Sequence, residues 1–186
     1  MARLVVHPVT PARWDDFAKL FEAKGAPHYC WCAPYRFADA HTMDKAEKRA
    51  AMRQLVKRGT PIGLLAYKDG EPVGWVSAAP RMTFAKLERS KVMPVVDETA
   101  WTVSCFFVAR EHRDEGVPVA LLNAAVKEAR AKGATSIEGY PWDASGMSST
   151  NLGRSAVFKK AGFKPDEGRR WARRLRASPR GSHSPA

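Results

Sequence analysis

The sequence predicts an α+β fold: a central mixed, mostly antiparallel sheet with helices on both faces and one parallel β-α-β crossover. Three observations carry that expectation. In PIGLLAYKDGEPVGWVSAAP two apolar runs flank Asp69-Gly70, a strong short-range signal for an antiparallel hairpin. The run WTVSCFFV, 101–108, is almost continuously apolar, as a strand at the centre of a doubly covered sheet should be. A helical stretch and then the strand TSIEGYP follow it, and strand-helix-strand within one sheet forms a right-handed parallel connection.

The elements follow in order. RLVVHPV reads as a first strand. Thr10-Pro11 then opens a helix, with a hydroxyl for the cap and Pro in the first turn. Trp14, Phe17, Leu20 and Phe21 recur at helical spacing up to Lys24, and Gly25 stops the run. APHYCWCAPYRF breaks the pattern and reads as loop or irregular strand. A second helix runs from Thr42 to Lys57, ended by Gly59 and Pro61. After the hairpin, Arg81–Val96 is a connector with a short helix over Met82, Phe84 and Leu87. The helix after the central strand spans Val117–Lys132, with Leu122, Val126 and Ala129 on one stripe. STNLGRSAVFKKAGF is a last helix and RRWARRLRA a terminal strand. One domain is expected over 1–176, followed by a disordered tail over 177–186.

Composition narrows the function classes. Hydrophobic content of 45% and charged content of 27% suit a globular chain, but the formal net charge of +12 favours acidic partners such as nucleic acid or a phosphorylated cofactor. No apolar stretch is long enough to span a membrane, and His7 and Pro8 interrupt the N-terminal apolar run, so no signal peptide is read. Three cysteines, Cys30, Cys32 and Cys105, are too few for a disulfide framework, and a reduced, cytoplasmic protein is expected.

The turn HRDEGVP, which joins the central strand to its helix, is where chemistry concentrates. A helix N-terminus offers unpaired N–H donors and the positive end of a dipole. Gly116 lets backbone approach a ligand, and Arg113 adds a bidentate phosphate donor. An ordinary strand-to-helix turn would use the same Gly.

The stretch CFFVAREHRDEGVPVALL resembles motif A of the GNAT superfamily of acetyl-CoA-dependent N-acetyltransferases, with Arg113 and Gly116 in register. NLGRSAVFKKAGF is similar to the family's motif B, with Asn151 first, Phe158 seven residues on, then Gly162-Phe163. The resemblance covers residues 3 to 176. It implies that Arg113, Asp114, Glu115, Gly116, Val117, Pro118 and Val119 cradle the pyrophosphate of acetyl-CoA, and that backbone groups of Phe107 and Val108 pair with its pantetheine arm. Asn151 and Phe158 would line the cofactor's other side.

Three departures from the family pattern matter. Pro118 stands where Gly or Ala is usual and removes one N–H, about 1.5–3 kcal/mol if that donor normally serves a charged oxygen. Asp114 and Glu115 add negative charge beside the expected phosphates. Phe158 occupies the slot of a Tyr that protonates the departing thiolate, so Tyr140 is the candidate substitute acid.

For the base that accepts the amine proton, Glu138 is singled out, because a Glu in an apolar strand is costly unless paired. Glu98, Asp143 and His112 are the other candidates. In HYCWC, an extended backbone would place His28, Cys30 and Cys32 on one face, but no second pair completes a metal site, and small packing residues are the plainer reading. In the family's fold the loop after the first helix borders the acceptor pocket, which makes Tyr29, Trp31, Tyr35 and Arg36 candidate acceptor contacts.

The expected function is thus transfer of an acetyl group from acetyl-CoA to a primary amine, in a ternary complex, by a monomer or homodimer without metal or membrane. The alternative is a basic nucleic-acid-binding module on the same fold with a weak cofactor site, reading its partner through Arg170, Trp171, Arg173 and Arg174.

Overall fold

A computed structural model describes residues 4–88, 90–91, 93–143 and 151–175. Its seven strands are β1 (Val5–Pro8), β2 (Leu64–Lys68), β3 (Glu71–Pro80), β4 (Trp101–Val108), β5 (Ser136–Gly139), β6 (Lys164–Pro165) and β7 (Trp171–Arg174). They form one sheet in the order β1-β2-β3-β4-β5-β7-β6. Every neighbouring pair is antiparallel except β4–β5, which run parallel through Trp101↔Ile137, Thr102↔Glu138 and Val103↔Gly139. The mixed, mostly antiparallel sheet with one crossover is the one expected. The hairpin turn has both central residues left-handed, Asp69 at φ 52° and Gly70 at φ 83°, which matches the twist of the flanking strands. β6, two residues long, carries no sequence pattern and was not expected.

Five helices cover the two faces among the described residues: α1 (Trp14–Glu22), α2 (Lys45–Lys57), α3 (Ala85–Glu88), α4 (Val117–Ala131) and α5 (Ser155–Lys160). Pro11–Arg13 form a separate 3-10 turn, so the first helix starts at Trp14 rather than at Pro11. The second starts at Asp44, not Thr42, because Asp44 makes the reciprocal cap: its carboxylate accepts from the Glu47 N–H while Glu47 accepts from the Asp44 N–H. Thr42 spends its hydroxyl on the Asp39 carbonyl instead. The last helix begins only at Ser155, and the tail expected over 177–186 and the segment 144–150 lie outside the described residues.

Each face of the sheet buries its own core. On one, α4 presents Val117, Leu121, Leu122, Ala125, Val126 and Ala129 against Val76, Val103, Phe106 and Ile137. On the other, α1 and α2 bury Phe17, Phe21, Met52 and Val56 against Leu65 and Trp75. The start of α4 is fixed by a close approach: a Cβ on Gly74 of β3 would lie 2.6 Å from Val117 Cγ1. Gly74→Ala should therefore cost about 1–3 kcal/mol by overpacking and tilt the first turn of α4, measurable by chemical denaturation.

HYCWC is not extended. It turns, and Trp31 and Cys32 both sit in the left-handed region at φ 49° and 52°. The alternation that would have aligned His28, Cys30 and Cys32 is lost. Trp31 instead enters the α1–α2 core wholly buried, stacked on Phe21 at 5.5 Å and Trp14 at 6.2 Å.

Asp97 ties the approach to β4 to the start of β5. Its carboxylate accepts from the Thr99 N–H and hydroxyl and from the Thr135 and Ser136 hydroxyls. Burial alone would raise its pKa, but the bonds from Ser136, Thr99 and Thr135 win and hold it at about 2. A folded-state pKa below the unfolded one gives stability that is present above about pH 4 and is lost as pH falls towards 2. After discounting for solvent screening the contribution is about 1 kcal/mol. Asp97→Ala should thus lower Tm at pH 7 and leave it nearly unchanged at pH 2.

Candidate active site

The site begins with a slip in the β3–β4 ladder. Ser77 pairs with Cys105 but Ala78 pairs with Val103, so Ser104 is an extra residue in β4. The Ser104 hydroxyl donates to Ser77 Oγ at 2.9 Å, and Cys105 also turns to the α1–α2 side, so two successive side chains leave one face. Past this bulge β4 no longer pairs with β5, whose parallel ladder ends at Val103↔Gly139. The Phe106 N–H donates instead to the Asn151 carbonyl at 2.6 Å. The alternation of a strand puts the Val108 N–H on that same open edge, while Ala109 N–H returns to Val73 of β3.

A cavity of about 300 Å³ occupies the divergence. One wall is Phe106, Phe107 and Val108 of β4. Arg113, Asp114 and Pro118, at the mouth of α4, form the second. Asn151, Gly153, Arg154 and Val157 close the third. Six residues named from sequence for acetyl-CoA thus meet at one hollow: Phe107, Val108, Arg113, Asp114, Pro118 and Asn151. Arg154 and Val157 were not foreseen, although a second Arg within the NLGRSAV stretch was the available signal.

The turn itself has a definite donor set. Gly116 is the cap of α4 at φ 78°, with nothing within 4 Å of where a Cβ would stand. Its carbonyl accepts from both Val119 and Ala120 N–H, each at 3.1 Å. Val119 is therefore engaged within the helix and Pro118 has no N–H, while the Gly116 and Val117 N–H groups, like those of Asp114 and Glu115, make no bond among the described residues. The Val117 side chain points away into the α4 core, fully buried. Glu115 is drawn aside: it pairs with Lys68 at 2.8 Å and His112 at 3.1 Å, and those two partners, Lys68 first, hold its pKa below the usual range. Asp114, at φ 67°, is the carboxylate that stays on the cavity. Asp114→Asn keeps a residue tolerant of that backbone and removes the charge. It should tighten acetyl-CoA binding by up to about tenfold at low salt, with the gain shrinking as salt is added.

Phe158 does not line the cavity. It is fully buried, edge-on to Phe106 and Phe163, and its ring lies where a Cβ on Gly139 would come within 2.3 Å. The side chain at the cavity from that helix is Val157, one residue earlier. The physical reason is the length of α5: starting at Ser155, it turns Phe158 to the sheet and Val157 to the hollow.

On the opposite side of β5 lies a second cluster. Ile137 faces the α4 core, so Glu138 points to the other face of the sheet, where it is 1% exposed. The Thr102 hydroxyl donates to Glu138 Oε1 at 2.9 Å and the Tyr140 hydroxyl to the same oxygen at 3.3 Å. Arg81 Nε stands 3.7 Å from Oε1 and Arg170 Nη1 3.6 Å from Oε2. Arg170 also reaches Asp166 at 2.8 Å, and Arg81 donates to the carbonyls of Leu87 and Met93. Glu138 is thus the anion of a buried ionic cluster, and neither it nor Tyr140 lines the cavity. Burial first, then the Glu138 carboxylate, push the Tyr140 pKa upward, so the phenol keeps its proton at neutral pH and is available as a donor.

The four acceptor candidates do not gather. Trp31 is core, as described. Arg36 is 2% exposed and donates to the carbonyls of Pro61 and Ile62 and to Thr83 Oγ1, with Phe84 4.1 Å beneath it. These two are structural rather than acceptor contacts, since burial leaves them no free surface. Tyr29 is 64% exposed, and Tyr35 is half-buried against Phe84 and Leu87. Cys32 and Cys105 are buried together: Cys32 Sγ accepts from the Trp75 indole at 3.2 Å, and the Cys32 thiol is pushed up by Cys105. A thiol so held is a poor nucleophile. Among the described residues no three His, Cys, Asp or Glu side chains converge as for a metal, and no helix is long and apolar enough to cross a membrane.

Comparison with solved structures places this architecture. The aminoglycoside acetyltransferase AAC(6')-Ib in complex with coenzyme A superposes with a TM-score of 0.61 at 13% identity, covering 92% of this chain and 95% of that one. An N-acetyltransferase from Staphylococcus aureus gives 0.54 at 14% identity over 94% and 99%. A GNAT family acetyltransferase from Brucella melitensis in complex with acetyl-CoA gives 0.52 at 12% identity over 93% and 88%. At these identities the likeness establishes the fold. A sequence comparison with curated proteins gives no match. The acetyltransferase (GNAT) family model, however, matches residues 14–163, spanning β4, the turn at Gly116, α4 and α5. With the bulged central strand, the helix-mouth turn and that match in agreement, the chain belongs to the acetyltransferase (GNAT) family.

Proposed function

We propose that this protein transfers an acetyl group from acetyl-CoA to a primary amine of a small molecule or an exposed substrate amine, by direct attack in a ternary complex. The observation that carries the reading is the cavity between the diverging ends of β4 and β5, which runs to the mouth of α4. Its chemistry suits the donor. The Gly116 and Val117 N–H groups, the helix dipole, Arg113 and Arg154 receive the pyrophosphate. The open-edge Val108 N–H pairs with the pantetheine arm as an added strand would. Solved relatives in complex with coenzyme A or acetyl-CoA support that choice of donor.

In the reaction the neutral amine attacks the thioester carbonyl, a C–N bond forms, the C–S bond breaks and the thiolate takes a proton. The Phe106 N–H, on the same open edge, polarises the carbonyl once Asn151 yields it. Tyr140 supplies the proton to sulfur, and Glu138, bonded to its hydroxyl, accepts the proton that the amine releases. Neither group lines the cavity, and turnover of a Glu138→Gln variant decides whether the pair takes part.

The test is a turnover assay that follows thiol release and product mass with acetyl-CoA and a panel of primary amines, on wild type and Val157→Trp. Acetylated product from wild type and its loss in the cavity-filling variant support the reading. A protein that binds acetyl-CoA but acetylates no amine in the panel contradicts the amine assignment.

A further inference from the structure

The +12 charge is not spread evenly, and the structure separates the cations that have work from those that do not. The C-terminal arginines named for a nucleic-acid stripe are mostly engaged: Arg170 is 9% exposed and paired with Glu138 and Asp166, and Arg173 donates to the Ala161 carbonyl at the end of α5. Arg154 faces the cavity.

The helix α2 and its cap are different. Residues 45–58 hold six basic side chains and one acid, so fourteen residues carry five of the twelve net positive charges. Lys45, Arg53, Lys57 and Arg58 are exposed, and none has a carboxylate partner among the described residues. Lys45, Arg49, Arg53 and Lys57 recur every fourth residue and so climb one flank of the helix over about 18 Å. The acids named beside the flank are already engaged, and only Glu22 pairs with one of its cations. Glu47 closes the cap of α2, Glu22 takes Arg49 at 3.1 Å, and Asp16 accepts the Tyr67 hydroxyl at 2.8 Å.

Aromatic rings adjoin the flank. The guanidinium groups of Arg49 and Arg53 lie 5.8 and 5.9 Å from the Trp14 ring, and Arg49 also lies 5.6 Å from the Trp31 ring, two residues after the exposed Tyr29. The apolar side of α2, Met52 and Val56, is buried in the core, so the helix has no hydrophobic face to insert into a bilayer.

We propose that the solvent face of α2, with Tyr29 at its edge, binds single-stranded nucleic acid. Lys45, Arg53, Lys57 and Arg58 track successive phosphates, and Tyr29 stacks on an unpaired base. This surface lies apart from the cavity, and its binding does not depend on acetyl transfer.

The experiment is fluorescence anisotropy on the full chain with labelled homopolymeric single-stranded RNA and DNA of equal length, across a salt series. Four phosphate contacts predict a slope of about −3 in log K against log salt. Arg53→Gln, Lys57→Gln and Arg58→Gln together, which spare the Asp44 cap, should weaken binding at least tenfold and flatten the slope, with Tm within a few degrees of wild type. The matched variant Lys160→Gln, Lys164→Gln, Arg174→Gln should bind as wild type does, and Tyr29→Ala should weaken binding without changing the slope. RNA bound more tightly than DNA, or the two equally, are both consistent with this surface. No salt-dependent binding overturns the proposal, as does an equal loss in the C-terminal variant. So does α2-dependent capture of phosphatidylserine vesicles by a protein that ignores both oligonucleotides.

Discussion

Glu138→Gln is expected to destabilise the fold by about 3–5 kcal/mol, because it removes the anion from a buried cluster and leaves Arg81 without a counter-charge. Gln preserves the volume and an acceptor for Thr102 and Tyr140, so the loss reports charge rather than a cavity. For a chain of 186 residues each 1 kcal/mol moves Tm by roughly 2–4 °C, so the drop should be on the order of 10 °C. Adding Arg81→Met to Glu138→Gln should recover part of it, since a buried pair can be replaced by apolar groups at little cost while half a pair cannot be kept. Turnover then separates structure from catalysis. If Glu138 takes the amine proton, the folded fraction of Glu138→Gln should lose roughly 10²–10⁴ in kcat with acetyl-CoA affinity unchanged. If turnover per folded molecule is retained, Glu138 is a structural anion and the base lies elsewhere.

The second large effect concerns the phosphates. Arg113→Ala with Arg154→Ala should raise the Kd for acetyl-CoA by about 100-fold or more, since each removes a charge-assisted contact of about 1.5–3 kcal/mol. The two residues approach the cavity from different helices' mouths, so each single change should give about half of the loss in free energy. The acetyl-CoA Kd of the wild type should also rise with salt, and that dependence should be shallower in the double variant. A double variant that binds as wild type does would place the pyrophosphate elsewhere.

How far the sequence could carry this account depends on the kind of signal. The hairpin was legible because Asp69-Gly70 specifies a local backbone shape, and α4 because its apolar stripe repeats over fifteen residues. The hollow at the mouth of α4 could be anticipated because its parts lie in two short segments whose order along the chain fixes their place in the fold. The bulge at Ser104 could not be, since a slip of register against β3 leaves no mark in an apolar run. Phe158 was misjudged for a separate reason, the phase that α5 takes from its start at Ser155. The environment of Glu138 was only half legible. Its apolar strand announced that it must be paired, but its partners come from β4, the loop after β3 and the turn before β7. An Arg in PRMTF or GRRWARR reads as surface until the sheet folds it inward. Trp31 and Arg36, named because the family's loop after the first helix borders the acceptor pocket, are buried here, with the left-handed turn at Trp31 and Cys32 carrying Trp31 inward.

The central claim is that acetyl-CoA binds at the mouth of α4. The most direct test is a calorimetric titration of wild type and Gly116→Trp with acetyl-CoA and with CoA in moderate salt, with Tm of both proteins measured alongside. The space around Gly116 admits the indole, and the strain of a non-Gly residue at φ 78° is read by the Tm comparison. The account predicts micromolar, saturable binding by wild type and none by a Gly116→Trp variant that is still folded. Equal binding by both proteins, or no binding by wild type even at low salt, would contradict it.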